Sequence, residues 1–366
     1  MNVLTRWILL IFVLAFSLEG IDTPAHAEVP LKRPWSITGN LRPGSFLSPI
    51  DGANIGYFVI DVEANSTSVP VVISPGRGET LLRYYPMIHA MQKRGFGPFL
   101  MIDHRGQGSS MDAAMTDPGV LDVEQFEHYI VDFLAFAEGR VPEELAKRGV
   151  RSKPLYLAHS MGGAILNLAL VDRPDLARAA IYIAPMFDID IRVKDIKLKV
   201  FKDIFARSIS GLLCSLGFAR ANLKMGRPPT GEPQSFDAKD CSLNDIRHVE
   251  QLLGQLNTGA TVRWVSQALA ATQKIQKLNE SGQSPVVPSL IVMGSRDKIV
   301  ENKGLEKYVA QARNCELVSV GAGHAIHNGK AAARDELVEV IHDFVDRTFV
   351  RCGKDLIGHS PQGGIP

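Results

Sequence analysis

Short apolar segments, separated by amphipathic segments of helical period, run through most of this 366-residue chain. The apolar segments are typical of buried strands because each is rich in aliphatic residues and is bounded by Pro, Gly or Asp. They are PVVIS (70–74), PFLMID (98–103), LYLA (155–158), AAIYIAP (179–185), SLIVMG (289–294) and ELVSV (316–320). Helical segments such as 123–139 and 334–349 separate or follow them. This alternation predicts an α/β fold, with a mainly parallel sheet covered by helices on both faces.

The strand–helix alternation is interrupted between residues 186 and 283. Because a compact domain rarely contains a structureless connection of that length, we expect a mostly helical cap here, inserted into the sheet domain. The predicted divisions are a core at 28–185 and 284–350, the cap at 186–283, and a C-terminal tail at 351–366.

The cap segment 195–213 has an apolar side and several Lys and Arg residues on the other side. One interpretation is a lid over an acyl channel, whose basic residues contact a lipid head group or an anionic membrane surface. The other is a helix packed on the core with a solvated polar face. The sequence leaves both open.

The first 27 residues have the order of a secretory signal peptide: Arg6, an apolar run, then Ala25-His26-Ala27. We therefore expect export to the periplasm or medium after cleavage at Ala27. The alternative is an uncleaved N-terminal anchor, although the run is shorter than the about 20 residues of a comfortable span. In an oxidising compartment, proximity favours Cys214–Cys241 and Cys315–Cys352 bridges, against the alternative of four buried thiols.

The net charge of +1 gives no field that would attract nucleic acid, so we expect no nucleic-acid partner. No Cys-x-x-Cys motif or His/Cys spacing suggests a metal. We expect a function without metal or cofactor, and the oligomeric state is not predicted.

Ser160 lies where the strand at 155–158 gives way to a helical pattern. Sites in open parallel sheets form at the carboxyl ends of strands. A sharp turn there requires small residues two positions before and after its centre, and these are Ala158 and Gly162. The pattern is the G-x-S-x-G nucleophile elbow with Ala for the first Gly. Alone it is equally compatible with a turn that only packs a helix on a strand.

An acid and a base follow at later strand ends, as a serine nucleophile requires. Asp297 comes directly after the strand at 289–294, and His324 and His327 come after the strand at 316–320. The order Ser, Asp, His at consecutive strand ends predicts a catalytic triad, but proximity does not choose between the two histidines. The oxyanion donors are expected to be the backbone N–H groups of Met161 and Arg77, the latter in the glycine-containing loop PGRGET.

Six motifs in one order carry a family resemblance: SPGRGE, IDHRGQGSS, LAHSMGGAI, APMFDI, MGSRDKIV and GAGHAIHN. Together they resemble the lysophospholipase and monoacylglycerol lipase branch of the α/β-hydrolases, including the bacterial L2-type lysophospholipases. The resemblance implies an α/β-hydrolase fold with the cap inserted after the sixth strand. It assigns Ser160 as nucleophile, Asp297 as acid and His324 as base, with Arg77 and Met161 as oxyanion donors. It also implies that DHRGQGSS (103–110) is a structural loop.

We therefore expect a cofactor-independent serine esterase that hydrolyses single-chain acyl esters, such as lysophospholipids or monoacylglycerols. Its partner would be a lipid-like ester, with peripheral membrane contact through the cap. Two alternatives stay open: an inactive exported hydrolase fold that binds lipid, and an acyltransferase that uses the same triad.

Overall fold

The computed structural model describes residues 41–61, 69–111, 120–189, 192–193, 196–197, 217–221 and 259–355. Its centre is an eight-stranded sheet. In chain order the strands are β1 (Leu41–Leu47), β2 (Asn54–Ile60), β3 (Val69–Ser74), β4 (Phe96–Ile102), β5 (Leu155–His159), β6 (Ala179–Ile183), β7 (Ser289–Gly294) and β8 (Cys315–Val320). Across the sheet their order is β1-β2-β4-β3-β5-β6-β7-β8. Only β2 runs against its neighbours, because it pairs antiparallel with β1 and β4 while the other pairs are parallel.

Seven α-helices and a few short elements complete the described residues. The helices are α1 (Leu81–Gln92), α2 (Glu127–Ala135), α3 (Val141–Ala146), α4 (Met161–Asp172), α5 (Val262–Glu280), α6 (Asn302–Gln311) and α7 (Ala331–Asp355). A π-helical turn, Phe136–Arg140, joins α2 to α3, and two-residue strands at Val120–Leu121 and Gly259–Ala260 pair in parallel. A second such pair, Arg192–Val193 with Ile196–Lys197, is antiparallel. No described helix combines the length and apolar composition needed to cross a membrane.

The strands alternate their side chains between two apolar cores, one on each face of the sheet. In β5, Leu155 and Leu157 join the core beneath α1 and α7, whereas Tyr156 and Ala158 join the core beneath α2, α4 and α5. Because successive side chains of a strand point to opposite faces, a strand buried on both sides must be apolar throughout. The predicted parallel sheet with helices on both faces is confirmed.

Helix α4 is buried on all sides over its first ten residues, from Met161 to Leu170. This burial explains why its apolar pattern has little periodicity. Gly163 lets the helix approach the chain after β6, because a Cβ at this position would lie 2.6 Å from the Cβ of Pro185. The helix that begins beside Ser160 is therefore fixed in the centre of the molecule.

The connection after β6, the sixth strand of the sheet, contains the predicted cap. Most of residues 190–258 lie outside the described residues, including the basic segment 195–213 apart from Ile196–Lys197. Helix α5 falls within the predicted cap range, but its Trp264, Ala268 and Ile275 belong to the same apolar core as α4. The predicted domain boundaries at 186 and 283 stay predictions.

Cys315 begins β8 and carries a free thiol, so the suggested Cys315–Cys352 bridge is wrong for this structure. Burial raises the pKa of this thiol to about 12, which favours the protonated form at neutral pH. Cys214 and Cys241 lie outside the described residues, as does the predicted signal peptide.

Candidate active site

Ser160 occupies a strained turn between β5 and α4. Its backbone has φ 49° and ψ −116°, a region that residues other than glycine rarely adopt. Two bonds to the chain at the end of β6 hold it there: Ser160 N donates to Ile183 O at 3.1 Å, and Met186 N donates to Ser160 O at 2.9 Å. Strain of this kind persists only where the surroundings over-determine it, and such positions cluster at functional sites.

Gly162 allows the turn to pack against the end of β3. A Cβ at this position would lie 2.5 Å from the carbonyl oxygen of Pro75 and closer still to that of Ser74. Backbone atoms cannot yield to such a contact, so the requirement for a small residue after the serine is steric. Ala158, at the other predicted small position, is fully buried and pairs with Ser74 and Tyr182 on the neighbouring strands.

A continuous line of hydrogen bonds joins the three residues predicted to act together. Ser160 Oγ lies 2.9 Å from His324 Nε2, and His324 Nδ1 lies 2.8 Å from Asp297 Oδ2. The side chain of Asp297 is 1% exposed and that of His324 is 8% exposed, so water has little access to the bond between them. The structure thus brings Ser160, Asp297 and His324 into one hydrogen-bonded group.

The second oxygen of Asp297 accepts backbone N–H groups of the turn after β7. Oδ1 lies 2.8 Å from Ile299 N and 3.1 Å from Val300 N. Burial opposes ionisation of this carboxyl, but the bonds from His324, Ile299 and Val300 outweigh it and lower the pKa of Asp297. An ionised carboxylate only accepts, so Nδ1 of His324 carries its proton and Nε2 is free to accept the hydroxyl proton of Ser160.

The loops that carry Asp297 and His324 are in direct contact. Arg296 N donates to Ala322 O at 2.9 Å. A Cβ at Gly294 would lie 2.8 Å from Ala322 O and closer still to Gly323 O. The glycine at the end of β7 therefore permits the approach that brings the acid and the base together.

The two loop histidines have different surroundings. His324 faces Ser160, whereas His327 is fully buried, contacts Glu79 at 3.5 Å and stacks on Tyr84 with ring centroids 4.4 Å apart. Burial lowers the pKa of His327 to about 3 and keeps the ring neutral. Of these two histidines, His324 is the one within hydrogen-bond distance of Ser160 Oγ.

The predicted oxyanion donors lie in the expected segments. Met161 is the first residue of α4, where backbone N–H groups have no partner within the helix and the helix dipole is positive. Arg77 lies in the loop after β3, and its guanidinium lies 5.6 Å from the ring centroid of Trp264 on α5. Burial lowers the pKa of Arg77.

The DHRGQGSS loop makes structural contacts. The Asp103 carboxylate accepts bonds from Ser109 N and Ser109 Oγ, both at 2.8 Å. Arg105 pairs with Asp132 at 2.7 Å and with Asp51 at 2.9 Å, which ties the loop to α2 and to the β1–β2 turn. These contacts agree with the structural role implied by the resemblance.

A buried polar group next to Ser160 was not predicted from the sequence; it is formed by Glu79, Tyr84, His159 and His327. Glu79 Oε2 lies 2.8 Å from His159 Nδ1 and accepts the Tyr84 hydroxyl at 2.6 Å. The available signals were an acid within the glycine-containing loop PGRGET and a histidine directly before the nucleophile. Neither signal indicates that the two side chains meet.

The family of the chain follows from its similarity to known proteins. A family model described as "Serine aminopeptidase, S33" matches residues 66–331. Lysophospholipase L2 of Escherichia coli (strain K12) is 30% identical over 270 residues, covering 71% of each chain. The chain belongs to the lysophospholipase and monoacylglycerol lipase branch of the α/β-hydrolases. As a member of this branch it is a hydrolase of carboxylic esters, although the family model carries a peptidase description.

More distant relatives of this α/β-hydrolase support the branch and the fold. Monoglyceride lipase of Rattus norvegicus is 23% identical over 288 residues, covering 77% of this chain and 84% of the relative. A soluble variant of Saccharomyces cerevisiae monoglyceride lipase, solved with a substrate analogue, superposes with a TM-score of 0.63 at 19% identity. That alignment covers 88% of this chain and 99% of the yeast chain. A carboxyl esterase from Bacillus coagulans also gives a TM-score of 0.63, at 17% identity, covering 84% of this chain and 98% of the esterase.

Proposed function

We propose that this hydrolase cleaves single-chain acyl esters through an acyl-enzyme on Ser160. The observation that carries the proposal is the hydrogen-bonded line Asp297–His324–Ser160, with bonds of 2.8 and 2.9 Å, at a strained strand-to-helix turn. A serine hydroxyl is a poor nucleophile until a base removes its proton, and the base needs an acid to fix its tautomer.

In the acylation step, Ser160 Oγ attacks the ester carbonyl carbon while His324 Nε2 takes the hydroxyl proton. The carbonyl oxygen becomes an oxyanion, stabilised by the backbone N–H groups of Met161 and Arg77. The tetrahedral intermediate then collapses, and the bond to the leaving oxygen breaks. His324 donates its proton to that oxygen, so an alcohol leaves and the acyl group stays on Ser160.

In the deacylation step, His324 removes a proton from water, and the resulting hydroxide oxygen attacks the acyl carbon. Collapse of this second intermediate breaks the bond to Ser160 Oγ, which recovers its proton from His324. Asp297 stays ionised throughout, because its lowered pKa favours the carboxylate that pairs with the imidazolium. The net reaction consumes one water and releases a carboxylic acid and an alcohol.

We propose lysophospholipids or long-chain monoacylglycerols as the substrates. The names of the relatives support this class, since one is a lysophospholipase and another a monoglyceride lipase. The Arg77 guanidinium lies in the oxyanion loop and is held against Trp264, where it could pair with a phosphate-bearing head group. Each buried CH₂ of the acyl chain would contribute about 0.8 kcal/mol, so long chains should bind better than acetate or butyrate.

The nucleophile is tested by Ser160→Ala, with Ser281→Ala as a matched control. Ser281 is an exposed serine at the end of α5, whose hydroxyl donates only to a carbonyl of its own helix. Ser160→Ala should lose esterase activity and labelling by a fluorophosphonate, and Ser281→Ala should keep both. An active Ser160→Ala enzyme would show that another residue forms the acyl-enzyme, or that none forms.

The substrate class is tested by kcat/KM for p-nitrophenyl esters, monoacylglycerols and lysophospholipids of increasing chain length, below micelle formation. A maximum at short chains with no turnover of lysophospholipid would indicate a general small-ester hydrolase. Added alcohol acceptors separate hydrolysis from acyl transfer, because a transferase would form new ester rather than free acid. Lipid binding without fluorophosphonate labelling would favour the inactive lipid-binding alternative.

We also propose that the enzyme acts outside the cytoplasm, because residues 1–27 have the pattern of a cleaved signal peptide. N-terminal sequencing of the protein from fractionated cells should give a mature chain that begins at Glu28. A chain that retains Met1 in the membrane fraction would support the anchor instead, and one in the cytoplasm would refute export.

A further inference from the structure

A buried cluster of polar side chains lies beside the candidate triad, and it joins the three segments on which the proposed chemistry depends. It consists of Glu79, Tyr84, His159 and His327, which are between 0% and 6% exposed. Buried polar and charged groups are costly unless they are paired, so the bonds within the cluster must compensate for the loss of water. We call this group the Glu79 cluster.

Glu79 is the acceptor at its centre. Its Oε2 accepts bonds from Gly76 N at 2.8 Å and from the Tyr84 hydroxyl at 2.6 Å, and it lies 2.8 Å from His159 Nδ1. Burial opposes ionisation, but the adjacent His159 ring, which is hydrogen-bonded to this carboxyl, and the charge of Arg83 outweigh it and hold the pKa of Glu79 well below its usual value. Glu79 is therefore a carboxylate, and its oxygens only accept.

The two ring nitrogens of His159 both face acceptors. Nδ1 faces the Glu79 carboxylate at 2.8 Å, and Nε2 faces the backbone carbonyl oxygen of His324 at 3.2 Å. A carbonyl oxygen cannot donate, and neither can an ionised carboxylate, so both ring nitrogens must carry protons. These contacts are those expected of an imidazolium that donates to both acceptors, and we treat His159 and Glu79 as such an ion pair.

The same three side chains could be read as metal ligands, because one donor atom of each of Glu79, His159 and His327 lies within 4.8 Å of the others. Two ligands of one zinc ion, each about 2.0–2.1 Å from the metal, stand about 3.4 Å apart in tetrahedral geometry. Glu79 Oε2 and His159 Nδ1 are closer, at 2.8 Å, and the same oxygen holds two further donors. These contacts are those of a hydrogen-bonded ion pair.

We propose that the Glu79–His159 ion pair positions the groups of the active site, a role that rests on the proposed function of Ser160 and His324. The pair contacts the oxyanion loop through Gly76 N, next to Arg77. It contacts the elbow because His159 directly precedes Ser160. It contacts the base through the His324 carbonyl, with the rings of His159 and His324 4.8 Å apart. Neither Glu79 nor His159 touches the reacting atoms, so both are positioning residues.

The test is kinetic, with Glu79→Gln as the main variant. Gln keeps the side-chain size but removes the charge and presents an N–H₂ group to donors. We expect kcat for a short-chain ester, and the rate of fluorophosphonate labelling, to fall by about 10- to 100-fold, as for a displaced reacting group. KM should change by less than about twofold, because ground-state binding is not affected. Glu79→Asp, which restores the charge, should recover part of kcat.

Tyr308→Phe is the matched control for loss of a buried hydrogen bond. It removes a bond of 2.7 Å from Asn167, between α6 and α4 and away from the cluster. We expect it to lower the thermal unfolding midpoint while kcat stays within about twofold of the unchanged enzyme. A Glu79→Gln enzyme with normal kcat would overturn the positioning role. So would a Tyr308→Phe enzyme whose kcat falls as much as that of Glu79→Gln at a similar loss of stability.

Two further measurements remain informative if Glu79→Gln does not fold. Nitrogen-15 NMR of labelled histidine, assigned by a His159→Gln variant, should show His159 doubly protonated at neutral pH. A neutral His159 would overturn the ion pair. Stoichiometric metal in the purified enzyme, with activity lost on chelation, would do so as well. Failure of the proposed function would give a different result. Ser160→Ala would then remain active, whatever the activity of Glu79→Gln.

Discussion

His104 should make the enzyme sensitive to mild acid, and the effect can be isolated with one substitution. The residue lies in the loop after β4, is fully buried, and has its Nε2 3.0 Å from Ser74 Oγ. Ser74 donates its own proton to Gly162 O at 3.2 Å, so Nε2 of His104 must be the donor in their bond. Nδ1 has no hydrogen-bond partner among the described residues, and the ring packs against Tyr129 and Phe133. Among the described residues, no acceptor is bonded to Nδ1 that would offset the cost of placing a second proton on this buried ring.

The magnitude follows from proton linkage. Burial lowers the pKa of His104 from 6.5 to about 3, while the unfolded chain keeps a value near 6.5. Below that pH the unfolded state binds a proton that the folded state excludes, so stability falls as pH falls. The loss is about 1.4 kcal/mol per pH unit, beginning near pH 6.5 and ending near the folded pKa. Between about pH 7.5 and 5.0 it amounts to about 2 kcal/mol from His104 alone.

The assay is denaturant unfolding of the enzyme and of His104→Gln at the two pH values. Gln retains an N–H donor but cannot ionise, so the variant should lose about 2 kcal/mol less stability between pH 7.5 and 5.0. His342→Gln is the control, because the ring of His342 on α7 is partly exposed and keeps its access to water. An equal loss of stability in His104→Gln and the unchanged enzyme would refute a buried neutral His104.

Substitutions at three other positions test the elbow and the triad. Gly162→Ala should fold poorly and lose activity, measured by soluble yield and thermal unfolding, because its Cβ would lie 2.5 Å from Pro75 O. Ser160→Gly and Ser160→Ala should both be inactive, but the glycine variant should unfold at higher denaturant, since relief of a strained φ of 49° is worth about 1–3 kcal/mol. Asp297→Asn should lower kcat by about 10⁴-fold with KM little changed, because the amide would fix the wrong tautomer of His324; an active variant would contradict the assigned acid.

The strands that the sequence predicted are those buried on both faces. Continuous aliphatic runs are typical of central strands, and β3 to β8 lie at or within a few residues of the predicted positions. The two strands β1 and β2 were missed. β1 is an edge strand that contains Pro43 and Gly44 and is mostly exposed, so its composition resembles a loop.

The site was predictable to the extent that its residues follow strand ends. Ser160, Asp297 and His324 each lie just beyond a carboxyl end in one sheet, so topology alone brings them to one edge. The Glu79–His159 pair was not predictable in this way, because its partners are 80 positions apart and no local pattern relates them. The interactions of Asp297 and His324 follow from chain order, whereas those of Glu79 depend on the packing of three loops.

Strain and buried charge are concentrated at one edge of this sheet. Of the described residues, only Ser160, Ala184 and Asn314 have positive φ without being glycine. The first two follow the adjacent strands β5 and β6, where Ser160 N bonds to Ile183 O and Ala184 N bonds to Val292 O. A sequence selected for stability alone would place glycine at such turns and apolar side chains beneath them. The serine, the strained alanine and the Glu79–His159 pair depart from that rule together, which is the pattern expected where a fold is shaped by chemistry rather than by stability.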